Sequence, residues 1–246
     1  MKMLALALLV PLAACSFHSG DGDSAPSIPG SGSGTARNYQ ASDFTAVSLH
    51  GADNVDIRVG GTFSVRAEGP SAELDKLKIV KKGDTLRMGR VEQFGFLWGG
   101  NHSRNDIKIY VTMPRITATS LTGSGDMTVD RVTGQKFTAS TTGSGSLTID
   151  AVGTDEVSLS IAGSGDMKLQ GATKRLGIDI TGAGGVDAGG LKATSAKVSI
   201  AGSGGVKADV TGPASVSVMG SGDVDLGPGA KCSTSKMGSG EVHCGS

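Results

Sequence analysis

Cysteines, histidines and regularly spaced acids are the residues of this chain that could do chemistry. Its 246 residues include three Cys and four His. His18, His50, His102 and His243 are scattered, and none pairs visibly with a Ser or Cys nucleophile and an acid. A Gly-x-Ser-x-Gly elbow and a zinc motif are both absent from the sequence. Cys232 and Cys244 stand six residues either side of Gly238. They are a candidate disulfide, although spacing alone also allows two reduced thiols. Metal binding by this pair with His243 lacks a further ligand at workable spacing. The residues therefore predict no catalytic group, no metal and no cofactor.

Acids offer the remaining chemistry. Stacking of equivalent segments would set Asp130 beside Asp150 and Asp223 beside Glu241, with like charges roughly 4.8 Å apart. A bound cation would relieve the repulsion, and so would solvation; a solvated acidic ridge is the simpler expectation. Asp126 and Asp166 are separated by Ser146, which interrupts any continuous ladder. The long interruption at 89–106 carries Phe94, Phe96 and Trp98, a candidate binding loop. The alternative, favoured because exposed aromatics invite association, is that these rings fold back over an apolar edge.

A repeated glycine motif must position all of these residues. Gly123 and Gly125 flank one Ser, and the same pattern returns at Gly143 and Gly145, then at Gly163 and Gly165. It continues at Gly182 and Gly184, there around Ala183, and then at Gly202 and Gly204, Gly220 and Gly222, and Gly238 and Gly240. First glycines are separated by 20, 20, 19, 20, 18 and 18 residues. A constant period of this size marks a stacked repeat. On either side, apolar residues alternate with polar ones, as in Val157-Leu159-Ile161 and Met167-Leu169. That alternation makes strands with one buried face. One repeat cannot cover its own apolar side, so neighbours stack. The predicted fold is all-β, a parallel β-helix or β-solenoid with coils of about 20 residues and Gly-Ser-Gly corners. Glycine suits the corner because it accepts positive φ and close backbone approach, and the central Ser could bond the corner backbone. A phosphate loop is excluded because the turn repeats and leads into strands. Calcium-binding nonapeptide repeats are excluded by their shorter period.

Composition agrees with this reading. Net charge is zero, with 23 basic and 23 acidic residues and no basic stripe, so nucleic acid is not an expected partner. At the N-terminus Lys2 precedes the apolar run from Leu4 to Val10, which is too short to span a bilayer. Leu12-Ala13-Ala14-Cys15 then resembles the lipobox of bacterial lipoproteins. The resemblance implies a signal peptide at 1–14, lipidation of Cys15 and, with Ser16 following, outer-membrane sorting. Residues 15–37 are rich in Ser, Gly and Pro and read as a flexible tether. An exported chain tolerates the candidate disulfide, which would staple the terminal coil.

The front half, 38–113, alternates less regularly and reads as irregular β coils ahead of a regular solenoid at 114–246. Gly51 to Ile57 looks like a degenerate corner with its strand, Ser71 to Leu77 like a helical turn, and Lys82-Gly83-Asp84 like a hairpin turn. With Phe44, Phe63-Ser64-Val65, Thr85-Leu86, Ile107 to Pro114 and the Gly-Ser-Gly corners, this order resembles the head GIN domain family of exported bacterial β-proteins, described as auto-transporter adhesin heads. The resemblance implies a right-handed β-helix. The sequence thus predicts a non-enzymatic, lipid-anchored envelope protein, with a glycan or envelope protein as candidate partner. A carbohydrate-active β-helix enzyme and a structural periplasmic spacer remain open alternatives.

Overall fold

Alternating strands need neighbours on both edges, and the chain supplies them by coiling. The structure, a computed structural model, describes residues 26–90 and 107–245. It opens with β1 (Gly30–Ser31), β2 (Ala36–Tyr39), β3 (Ala46–Gly51) and β4 (Asn54–Val59). After β5 (Ser64–Glu68) come a single helical turn, α1 (Ser71–Leu74), then β6 (Leu77–Lys82), β7 (Thr85–Arg90) and β8 (Lys108–Met113). The regular coils begin with β9 (Ala118–Gly123), β10 (Asp126–Val129) and β11 (Val132–Gly143). β12 (Ser146–Gly163), β13 (Asp166–Gly182) and β14 (Gly185–Gly202) each run from one corner to the next. β15 (Gly205–Val210), β16 (Pro213–Gly220), β17 (Asp223–Asp225), β18 (Lys231–Met237) and β19 (Val242–His243) complete the solenoid.

Pairing between these coils is parallel and in register. Gly51, Gly123, Gly143, Gly163, Gly182, Gly202 and Gly220 are successive partners in one column. The inward side chains form columns of their own. Leu121, Thr141, Ile161, Ile180, Ile200 and Val218 follow one another, as do Met127, Leu147, Met167, Val186, Val206 and Val224. Their burial is nearly complete. The core also tapers: Phe137, Val157, Leu176, Ala196 and Ala214 are successive partners. The shorter step after Gly202 arises at another place: Ala188 pairs with Ala208 and Lys192 with Asp209, so residues 189–191 of β14 have no partners in β15.

The front of the molecule differs from chain order. β3 lies between β7 and β9, and β4 between β8 and β10. The chain therefore lays down the Gly51 coil, passes outward to build β5 to β8, and returns across it to start β9. β1, β2, β5 and β8 pair antiparallel in sequence, as do β6 and β7. These antiparallel strands terminate the parallel stack, with Phe44 and Phe63 packed at 4.8 Å between ring centroids. Of the stretch 15–37, residues 26–37 are among those described. Ser31 and Asn38 pair in a hairpin whose loop uses Gly32 (φ 112°) and Gly34 (φ 70°). Ile28 N–H donates to Ile79 O at 2.8 Å. Buried Tyr39 holds this segment down, so the Ser-Gly run is a turn rather than a spacer.

The other end is closed by chemistry rather than by more strands. In β18, Thr234 and Lys236 take the inward positions over Val216 and Val218. Lys236 Nζ donates to Gly240 O at 2.8 Å, and Cys232 and Cys244 are joined as a disulfide across the coil. Terminal repeats of a solenoid need such a polar cap.

One defect interrupts the aliphatic columns. Thr119 and Thr141 are buried, and neither hydroxyl has a hydrogen-bond partner among the described residues. A buried hydroxyl without a partner costs about 1–3 kcal/mol. Thr141→Val keeps the shape and removes that cost. The expected result is a stabilisation of about 1 kcal/mol, read in urea denaturation; an unchanged or lower midpoint would contradict it.

Candidate functional site

Each corner is built by backbone rather than by serine. The N–H of the middle residue donates to the first glycine carbonyl of the coil before: Ser144 to Gly123 at 2.9 Å, Ser164 to Gly143 at 2.8 Å, Ala183 to Gly163 at 2.9 Å. Ala183 does this as well as serine, which corrects the expectation that the Ser side chain secures the corner. Among the corner serines of the described residues, only Ser221 and Ser239 make a side-chain hydrogen bond, to each other at 3.1 Å. The second glycine lies over an inward side chain of the previous coil. A Cβ at Gly165 would stand 2.5 Å from Gly145 O and 2.7 Å from Thr141 Cγ2.

The acid after the corner has a role that the spacing did not reveal. Asp166 Oδ1 accepts from Gly185 N at 3.0 Å, Asp126 Oδ1 from Ser146 N at 3.3 Å, and Asp223 Oδ1 from Glu241 N at 2.8 Å. Asn54 Oδ1 does the same for Asp126 N at 3.1 Å. These side chains satisfy the next coil's backbone. Asp130 reaches the other way, accepting from Val59 N of the preceding coil at 2.9 Å, and faces Arg131, while Asp150 is exposed. Across the third side of the coils, Glu156 bridges Lys136 at 2.7 Å and Arg175 at 3.1 Å. Those two cations, Lys136 foremost, hold its carboxyl below the usual range.

First glycines turn the chain between two outer faces. The leading face, on strands running into the corner, carries the row Ser48, Ser120, Ser140, Ser160, Asp179 and Ser199. It ends at two exposed methionines, Met219 and Met237, which are register partners. The trailing face, on strands leaving the corner, carries Thr128, Thr148, Lys168, Asp187, Lys207 and Asp225 in one row. Beside that row Gly185 and Gly205 are partners between Asp166 and Asp223. Two missing side chains there open a trough of about 510 Å³. Lys168, Asp187, Lys207 and Asp225 alternate along its lining, which reaches from Ser146 and Thr148 to His243.

Histidines are better placed than the sequence indicated. His50 Nε2 lies 3.1 Å from Ser48 Oγ, a pairing that the i, i+2 spacing on one strand face could have signalled. No hydrogen bond or ion pair joins His50 to an acid among the described residues. His243 Nε2 stands 3.2 Å from Glu241. His18 and His102, Cys15 and the aromatics Phe94, Phe96 and Trp98 lie outside the described residues. So does 91–106, most of the predicted binding loop.

With this geometry in place, the sequence profile of one family matches residues 43–227, and its description reads putative auto-transporter adhesin, head GIN domain. The chain belongs to the head GIN domain family. Solved structures share this head GIN architecture. A putative adhesin from Bacteroides fragilis NCTC 9343 is 22% identical with a TM-score of 0.76, covering 85% of this chain and 95% of its own. A putative lipid binding protein from Parabacteroides distasonis ATCC 8503 is 20% identical with a TM-score of 0.65, covering 87% and 98%. A putative adhesin from the same strain is 17% identical with a TM-score of 0.65, covering 88% and 99%. At these identities the likeness shows the fold alone. No curated protein matches this head GIN chain.

Proposed function

We propose that this head GIN protein is a non-enzymatic interaction head of the cell envelope, held to the membrane through acylated Cys15, that engages a glycan or an envelope protein. The family description supports an adhesin-like role. The observation that carries the reading is the construction of the two outer faces. Their backbone donors are consumed between coils, and their side chains stand in straight rows of hydroxyls and charges over a rigid core. A surface of this kind is pre-organised, so binding would order few side chains. Acyl chains on Cys15 would supply the anchor; two or more hold far better than one.

Two measurements test this. Cells fed a clickable fatty acid should label the wild-type chain and not Cys15→Ser, which should also leave the membrane fraction. Unlabelled wild type would remove the anchor from the proposal. The purified chain should bind components of a glycan and envelope-protein array without altering them. Cleavage of any glycan on that array would replace this reading with an enzymatic one.

A further inference from the structure

We propose that the trough on the trailing face binds a linear neutral polysaccharide laid along the solenoid axis, one sugar per coil. This names a ligand class for the interaction head and rests on that reading. The trough measures about 510 Å³. Gly185 and Gly205 are register partners without side chains, which leaves backbone at its floor. Thr148, Lys168, Asp187, Lys207, Asp225 and His243 are successive partners along it, so it crosses six coils.

The charged groups of this row are open to a ligand. Lys168 and Lys207 are exposed and make no hydrogen bond or ion pair among the described residues. Asp187 and Asp225 each use one carboxylate oxygen locally, accepting from Gly189 N at 3.2 Å and from Gly227 N at 3.0 Å. Their second oxygens have no partner among the described residues. Asp166 and Asp223 also line the trough, each with one oxygen taken by the backbone of the next coil.

Spacing and polarity select the ligand. An ammonium group only donates hydrogen bonds and a carboxylate only accepts them. The row therefore offers a donor and then an acceptor from coil to coil. A sugar hydroxyl does both, so neighbouring hydroxyls can accept from a lysine and donate to the next aspartate, as charge-assisted bonds. Coils recur about every 4.8 Å, close to the length of one pyranose ring in an extended chain. An extended peptide is out of step, because its side chains on one face recur about every 6.6 Å. Charge disfavours an ionic polymer of either sign. Asp166, Asp187, Asp223 and Asp225 repel an acidic one, while Lys168 and Lys207 flank Asp187 and repel a basic one.

The test measures calorimetric binding of the full chain in detergent to linear neutral oligosaccharides of increasing length. Affinity should rise until one sugar lies on each of the six coils and then level off. Counterparts with a uronate at alternate sugars should bind on the order of tenfold more weakly, because like charges then meet. Amine-bearing counterparts should gain nothing over neutral ones. Gly205→Leu fills the floor and should abolish binding. No atom lies within 4 Å of a Cβ at Gly205, so this variant should fold, and its thermal melt checks that. Lys168→Ala combined with Lys207→Ala should weaken binding by about tenfold or more, the scale of lost hydrogen bonds to charged groups. Lys197→Ala, on the leading face, should bind as wild type does. Normal binding by folded Gly205→Leu or by the double lysine variant overturns this inference and leaves the interaction head standing. So does affinity that ignores length, a preference for acidic or basic chains, or binding to an envelope protein alone. Binding to no glycan and no envelope protein overturns both.

Discussion

Three glycines at and just after one corner are expected to respond differently to alanine. Gly202→Ala should destabilise the protein by about 3 kcal/mol or more, because strain at φ 138° adds to overpacking. A Cβ there would press on the carbonyl group of Gly182, its partner one coil back. Gly204→Ala should cost about 2 kcal/mol, from overpacking without the φ strain. Its Cβ would meet Ile180 Cγ2 at 2.8 Å and the backbone of Gly184, and neither can move without separating two coils. Gly205→Ala should be neutral or stabilising by up to about 1 kcal/mol, since alanine has fewer unfolded conformations to lose. No atom lies within 4 Å of a Cβ built at Gly205. Urea denaturation of the three variants gives the order directly. Equal stabilities for Gly204→Ala and Gly205→Ala would mean that the corners are not stacked as described. The result also bears on function, because the same spacing keeps the outer rows straight.

The sequence made the stack legible because stacking demands a period. Gly123 to Gly240 repeat, and residues such as Val157, Leu159 and Ile161 alternate, since each coil must present the same side to the next. The degenerate corner at Gly51 was also readable, and Gly51 is the register partner of Gly123. What could not be read was the front of the molecule. Antiparallel pairing of β5 with β8 leaves no repeat, and the passage of the chain back across β3 and β4 follows from packing over 72 residues of separation. The pairing of Ala46 with Ala118 needs that same crossing. The trailing-face trough was hidden for another reason. Gly185 and Gly205 look like two more corner glycines, whereas they follow the corners, where Asp126 and Asp166 stand in other coils, and leave gaps on the outer face. Asp166 and Asp223 in that position looked like a charge pattern, and their role as backbone acceptors appears only once the next coil is in place.

The buried ion pair at the first corner should give the largest effect of any polar substitution. Asp53 occupies the slot that Gly125, Gly145 and Gly165 fill in later coils, and it is 1% exposed. Its carboxylate is met by Arg90, the last residue of β7, on the side away from Gly125. Arg90 Nε donates to Asp53 Oδ2 at 3.0 Å, its Nη2 meets Asp53 Oδ1, and its Nη1 meets Glu73 of the helical turn. Hydrogen bonding to Asp53 is the main reason that the guanidinium pKa is raised. Arg90→Ala should therefore cost about 3–5 kcal/mol, because it leaves a buried carboxylate without its partner. Adding Asp53→Gly restores the residue type of the later corners and removes the stranded charge. The double variant should recover most of the loss and be more stable than Arg90→Ala alone, a coupling that a double-mutant cycle measures. Acid titration adds a second readout. The Glu73 carboxyl is held below its ordinary value, first by Lys76 and then by Arg90. Its contribution is therefore present at neutral pH and fades as pH falls through that lowered value, and Arg90→Ala should weaken this acid dependence. Additive losses for Arg90→Ala and Asp53→Gly would show that the two side chains are not coupled. The first corner would then need another explanation for carrying an acid where the rest of the column carries glycine.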